Sequence, residues 1–146
     1  MISSSSEPLK YLLDTNICIY IIKQRPPQVF ERFRQHSVGE IGISAITYSE
    51  LSYGVANSQQ PEKNQHALDT FVAPLEVLPY PPEASLDYGR VRAHLRRAGR
   101  PIGPLDLLIA AHALHLGVVL VTNDTGEFSR VPHLSIENWA AESLAE

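Results

Sequence analysis

Cysteine is nearly missing from this chain, with Cys18 the only one in 146 residues. One thiol can neither close an internal disulfide nor build a thiolate cage. A disulfide-stapled scaffold and a zinc ribbon or finger are therefore excluded, and a reducing compartment is the better fit. Long apolar runs are missing too. No segment reaches the roughly 18 uninterrupted apolar residues that span a bilayer, so no membrane association is expected. The start, Met1-Ile2-Ser3-Ser4-Ser5-Ser6-Glu7-Pro8, has neither the positive region nor the apolar region of a secretory signal, which makes the cytoplasm the expected location. Positive charge is also in deficit. Twelve Lys and Arg against sixteen Asp and Glu leave a net charge of -4, whereas a nucleic-acid binder usually carries a basic footprint. Distribution qualifies that sum: five of the twelve basic residues fall between Arg90 and Arg100, and several acids sit inside apolar segments.

What is present suits one folded domain. The length supports a sizeable core without staples, and 44% hydrophobic with 19% charged residues is ordinary for a globular protein. Residues 1–8 read as a disordered Ser-rich tail and 9–146 as a single domain. Apolar runs at 10–13, 40–43, 75–78, 118–121 and 134–136 read as strands. Helical patterns cover 17–23, 28–35, the segment after the capping residue Ser44, 64–71, 84–98, 105–116 and an amphipathic terminus from Glu137. The helix at 105–116 is apolar on nearly every side, opened by Gly103-Pro104 and closed by Gly117, so it must be buried. Strands alternating with helices imply an α/β fold, a central parallel sheet in a three-layer α/β/α arrangement. Ligands in such folds bind at the carboxyl ends of the strands.

Four carboxylates occupy positions of that kind or lie early in apolar helices. Asp14 follows Tyr11-Leu12-Leu13, Glu50 follows Ala45-Ile46, Asp106 stands between Leu105 and Leu107, and Asp124 follows Val121-Thr122-Asn123. None has a Lys or Arg at a neighbouring helical position. Two carboxylates about 4 Å apart repel by roughly 4 kcal/mol at an effective dielectric of 20, so convergence of these acids requires a cation or raised pKa values. A hard divalent ion such as Mg2+ accepts an all-oxygen set, and an ion so held can drive phosphodiester hydrolysis without a nucleophilic side chain. Taken singly, each acid also has a plainer role open to it. Asp14 can cap a helix, Asp106 can answer a helix dipole, Glu50 can face solvent and Asp124 can shape a turn. Their shared placement favours the joint reading.

At these residues the sequence resembles the PIN-domain nucleases, and within them the VapC toxins of bacterial VapBC toxin–antitoxin pairs. The resemblance runs almost end to end. It rests on Leu12-Leu13-Asp14-Thr15-Asn16, Ser44-Ala45-Ile46-Thr47-Tyr48-Ser49-Glu50-Leu51-Ser52-Tyr53-Gly54, Gly103-Pro104-Leu105-Asp106-Leu107-Leu108-Ile109-Ala110-Ala111-His112-Ala113, and Leu120-Val121-Thr122-Asn123-Asp124. It implies a PIN-like fold and a Mg2+- or Mn2+-dependent endoribonuclease. Asp14, Glu50, Asp106 and Asp124 would be the catalytic acids, Asp14 and Asp106 the direct metal ligands, and Thr15, Asn16 and Thr122 hydrogen-bonding supports. It also implies a homodimer held inactive by a VapB-type antitoxin, DNA contact only through that antitoxin, and an RNA substrate. Through Arg100-Pro101-Ile102-Gly103-Pro104, it extends to transfer RNA, the initiator in particular.

Other patterns are weaker. Arg92, Arg96 and Arg97, with Arg90 and Arg100, form either an RNA-backbone stripe or a solvated helix face. His112 and His115 lack a third partner for zinc. A dehalogenase-type phosphatase needs an Asp where Asn16 stands, and a phosphorelay receiver needs a Lys that Thr122-Asn123-Asp124 does not offer. The alternatives that remain are a degenerate RNA- or antitoxin-binding module and a structure-specific DNA nuclease of related fold.

Overall fold

The computed structural model describes residues 8–37 and 39–141. In chain order the elements are β1 (Tyr11–Leu13), α1 (Thr15–Lys23), α2 (Pro27–Arg34), β2 (Ile41–Ser44), α3 (Ala45–Ala56), α4 (Pro61–Val72), β3 (Glu76–Leu78), α5 (Ala84–Arg97), α6 (Pro104–Leu116), β4 (Val119–Val121), α7 (Thr125–Phe128) and β5 (Ile136–Glu137). A 3-10 turn follows at Trp139–Ala141. The five strands form one sheet in the order β3-β2-β1-β4-β5, and every pairing is parallel. This is the expected α/β/α architecture. No helix of the described residues is long and apolar enough to cross a membrane.

Side-chain alternation along the short central strands produces the three layers. On β1, Leu13 joins the core with Ile17, Cys18, Ile21, Leu51 and Trp139, while Leu12 joins the opposite core with Val91, Leu95, Leu107 and Phe128. On β4, Val121 and Leu120 divide in the same way, and all four residues are fully buried. Strands buried on both faces read as continuous apolar runs, which is how they were visible in the sequence. Gly42 in β2 is dictated by close approach. A Cβ there would lie 2.9 Å from the Glu76 carbonyl oxygen of the neighbouring strand. Gly117 ends α6 in the left-handed conformation, at φ 70°, which glycine adopts without steric cost.

Three local expectations need correction. Helix α4 starts at Pro61, three residues before the expected Asn64, because proline at the first helical position is an opener and not a break. Helix α7 was not anticipated; Asp124 caps it, Oδ1 accepting from the Glu127 amide at 3.1 Å. The helix expected from Glu137 is replaced by strand and turn. Glu137 pairs with Val121, its carbonyl accepts from the Thr122 amide at 2.9 Å, and Trp139 is buried. The sheet's hydrogen bonds and the tryptophan's burial override the helical spacing. Residues 142–146, and all of the expected tail except Pro8, lie outside the described residues.

The order of the strands decides where a ligand can sit. From β1 the chain winds outward through β2 and β3, then returns to the other side of β1 with β4 and β5. The direction therefore reverses between β1 and β4. A crevice opens at the carboxyl ends of the strands flanking such a reversal, and Asp14 and Asp124 follow those two strands.

Candidate active site

Asp14 is where β1 becomes α1. Its Oδ1 accepts from the Ile17 amide at 2.9 Å, so it caps the helix, yet it is also only 4% exposed. Burial is the main force pushing its pKa up to about 6. The charges of Asp124 and Glu50 add to the rise, while hydrogen bonds from Thr122 and the Ile17 amide oppose it. The capping role and the role in an acidic centre thus belong to the same side chain. Thr122, fully buried at the end of β4, also accepts from the Asp124 amide at 2.9 Å, which ties the two strand ends together.

Glu50 reaches the site from α3. Thr15, on the first turn of α1, donates its hydroxyl to Glu50 Oε1 at 2.5 Å and lies 3.4 Å from the Thr47 hydroxyl. Asp106 is half-buried in the first turn of α6. Its pKa is pushed up to about 8, by burial first, then by the neighbouring Glu127, then by Asp14 and Glu50. The charges of Asp14, Glu50, Asp106 and Asp124 therefore act on one another across four separate elements. Thr15 and Thr122 join them through hydrogen bonds. Asn16 stands exposed on α1, and no side-chain hydrogen bond joins it to these acids among the described residues.

Glu127 was missed in the sequence. Carboxylate oxygens of Asp106, Asp124 and Glu127 lie within 4.8 Å of one another, whereas Asp14, the expected partner of Asp106, is set in the more buried wall. Glu127 Oε2 accepts from the Gly103 amide at 3.5 Å, long for a hydrogen bond, and its buried Oε1 has no partner. A signal for this residue existed. Asp124-Thr125-Gly126-Glu127 has capping-box spacing, in which the glutamate would fold back onto the cap amide. Here the Thr122 hydroxyl already holds that amide, and Glu127 turns toward Asp106.

The donor set suits a hard cation. It consists of carboxylate oxygens on four elements, no Lys or Arg is among the groups acting on Asp14 or Asp106, and Glu127, a member of the cluster, keeps one buried oxygen without a hydrogen-bond partner. His112 takes no part. It is buried against Ser44, Nδ1 to Oγ 2.8 Å, while His115 approaches Asp87.

The arginines of α5 do not make one stripe. Arg90 pairs with Asp87 at 3.0 Å and lines a cleft with His94 and His133. Arg92 and Arg96 line a different cleft, toward α6. Arg97 is exposed, and Arg100 lies beyond the helix end.

Comparison with known proteins agrees with this geometry. Residues 11–134 match the PIN domain. The chain is 47% identical, over 90% of its own length and 99% of the other's, to the tRNA(fMet)-specific endonuclease VapC of Shigella flexneri. Among solved structures it is similar to a DNA-bound VapBC from Salmonella typhimurium, with TM-score 0.85, 45% identity, and coverage of 90% of this chain and 98% of that one. It is also similar to VapBC2 of Rickettsia felis bound to a promoter DNA fragment, with TM-score 0.83, 40% identity, and coverage of 90% and 99%.

Proposed function

The chain belongs to the PIN-domain family, among its VapC ribonucleases, and on that premise we propose that it is the endoribonuclease toxin of a toxin–antitoxin pair. Its reaction is hydrolysis of an RNA phosphodiester at an acidic Mg2+ or Mn2+ centre. One observation carries the reading: acids from the β1 end, α3, α6 and the β4 end converge with no base among the groups acting on Asp14 and Asp106, and burial and the neighbouring acids raise the pKa values of those two. Such a centre repels a polyanion unless a cation intervenes.

Asp14 and Asp106 would hold that cation, with Asp124 and Glu127 oxygens beside Asp106. Bound there, it supplies Lewis-acid polarisation of a phosphoryl oxygen and a more acidic water. Glu50 is positioned by the Thr15 hydroxyl through Oε1, which leaves Oε2 to orient the attacking water or take its proton. Thr122 holds Asp14 and the Asp124 amide in register. The relatives named for tRNA(fMet) favour initiator transfer RNA as substrate, and the VapBC complexes favour a VapB-type antitoxin as partner. In this reading the toxin is a cytoplasmic homodimer and meets DNA only through the antitoxin.

The test is incubation of purified, antitoxin-free protein with total RNA and with initiator transfer RNA, in Mg2+ or Mn2+ and in EDTA, beside Asp14→Asn. Discrete products that need the metal and vanish in the variant are expected. Equal behaviour of folded wild type and variant would overturn the assignment.

A further inference from the structure

We propose that the cleft between α5 and the start of α6 binds a single unpaired nucleobase of the RNA substrate, with Arg92 and Arg96 on the adjoining phosphates. The proposal rests on the ribonuclease reading and gives it a second contact point beyond the acids.

The cleft has a volume of about 330 Å³, at the small end of ligand pockets and suited to one ring system. Its floor is apolar, built from Leu95, Ile102, Pro104 and Leu107. Tyr88 and the two arginines complete the lining. Arg92 lies 5.9 Å over the Tyr88 ring and donates to its hydroxyl at 3.0 Å. A planar cation is thus already held against an aromatic face, the pairing on which bases stack. Both arginines are exposed, and neither is paired to a carboxylate among the described residues. In a chain of net charge -4, cations left free beside an apolar slot complement a polyanion that carries flat rings.

Position supplies the second argument. Pro104 and Leu107 bracket Asp106 on the same turn of α6, so the cleft's lining lies within about one helical turn, roughly 5 Å along the axis, of Asp106. Between the lining residues Ile102 and Pro104 stands Gly103, whose amide points to Glu127 Oε2 at 3.5 Å. The same segment is tied down by Arg130, which donates to the Pro101 carbonyl at 3.0 Å. A strand crossing the acidic centre would therefore lay a neighbouring nucleotide over the cleft. A base can lay its face into a narrow apolar cleft only when it is not paired. The geometry accordingly selects RNA with an unpaired nucleotide beside the scissile bond and disfavours continuous duplex.

Fluorescence anisotropy in Mg2+ on an Asp14→Asn background, where cleavage does not compete, tests this with a short labelled unpaired RNA and the same RNA annealed to its complement. The unpaired strand is expected to bind more tightly. In Arg92→Ala/Arg96→Ala the slope of log K against log salt should shrink by about 1.4, from two single-strand phosphates at about 0.7 each. Tyr88→Ala should weaken binding roughly 10-fold without changing that slope, and Tyr88→Phe should restore it. Thermal melts of each variant show whether the fold is intact. Equal affinity for duplex, an unchanged slope, or no effect of Tyr88→Ala in a folded protein would overturn the proposal. So would a change of oligomeric mass in Tyr88→Ala, which would assign the cleft to a second copy of the chain. Wild-type cleavage in Mn2+ is scored separately. Cleavage with unchanged variant binding sinks the cleft alone, whereas no cleavage sinks the ribonuclease reading.

Discussion

The two ends of one sheet treat acids in opposite ways. At the amino ends of β1 and β2, Glu40 receives Lys10 at 3.1 Å, His36 at 3.2 Å and the Ser37 amide at 2.9 Å. Its pKa is lowered, first by the Ser37 amide and then by Lys10. At the carboxyl ends, Asp14 and Asp106 are buried or half-buried among other acids and rise to about 6 and about 8. Glu40 and Lys10 at the first end are paired within the fold, so their charges are compensated there. The second end keeps charges that the fold does not neutralise. Natural sequences tolerate such local conflict where function requires it, and the contrast separates the two ends by role.

Substitutions that remove charge should accordingly act in opposite directions at the two ends. The largest effect is expected from Asp14→Asn and Asp106→Asn, with RNA cleavage falling on the order of 10³-fold. Stability should not fall with it. Asparagine caps α1 as well as aspartate does, and a buried charge is removed. The rise from 3.8 to about 6 corresponds to about 3 kcal/mol of destabilisation relative to a free carboxylate at neutral pH. Asp14→Asn should therefore melt at or above the wild-type temperature in EDTA while losing activity. Loss of both together would mean that the residue is structural, and the comparison would fail.

Glu127→Gln sharpens the same contrast. Its carboxylate raises the pKa of Asp106 by both hydrogen bond and charge, so removing it should lower that pKa. Cleavage should drop by about 10- to 100-fold, the range for groups that orient or flank metal ligands. A pH–rate profile whose acidic limb does not move would show that Glu127 is not coupled to Asp106 in solution.

The acids legible in the sequence were those whose own element announced them. Asp14 and Asp124 stop apolar strands, and Asp106 interrupts an apolar helix, so burial and charge could be seen to conflict without coordinates. Glu127 sits on a four-residue helix, too short to show a period, and its importance comes from a loop at Gly103 that lies 24 residues away. How the arginines divide was hidden for a related reason. Spacing placed them on one helix but could not show that Arg90 faces Asp87 while Arg92 and Arg96 face α6. The sheet itself was readable because both faces of β1 and β4 are buried. The terminal segment was not, because pairing of Glu137 with Val121 is a long-range fact.

The comparison also fixes the sign of a pH effect. For Asp14 and Asp106 the folded pKa lies above the unfolded value of 3.8. Between those values the folded state holds more protons than the unfolded one, so stability falls as pH rises from about 4 toward 8. Melting in EDTA should thus be higher near pH 5 than near pH 8. Saturating Mn2+ should offset the loss at the alkaline end, by about 2.7 kcal/mol at a hundred times its dissociation constant. A melting temperature that rises across this range in EDTA would show that the acids are neutralised by something other than a cation.

The smallest effect belongs to the other end. Glu40 has a lowered pKa, so its contribution is present above the ordinary carboxylate range and is lost as pH falls through it. Its partners are exposed or partly exposed, and Lys10 is 54% exposed, so water and salt screen the pair and little of its attraction remains as net stability. Glu40→Gln should therefore lower the melting temperature slightly near neutral pH, less so in high salt, and leave RNA cleavage and metal binding unchanged. The loss should shrink near pH 4, where wild-type Glu40 is itself becoming protonated. A clear fall in cleavage without loss of fold would connect the two ends through β1 and β2, and would show that positioning of Asp14 depends on the salt bridge beneath its strand.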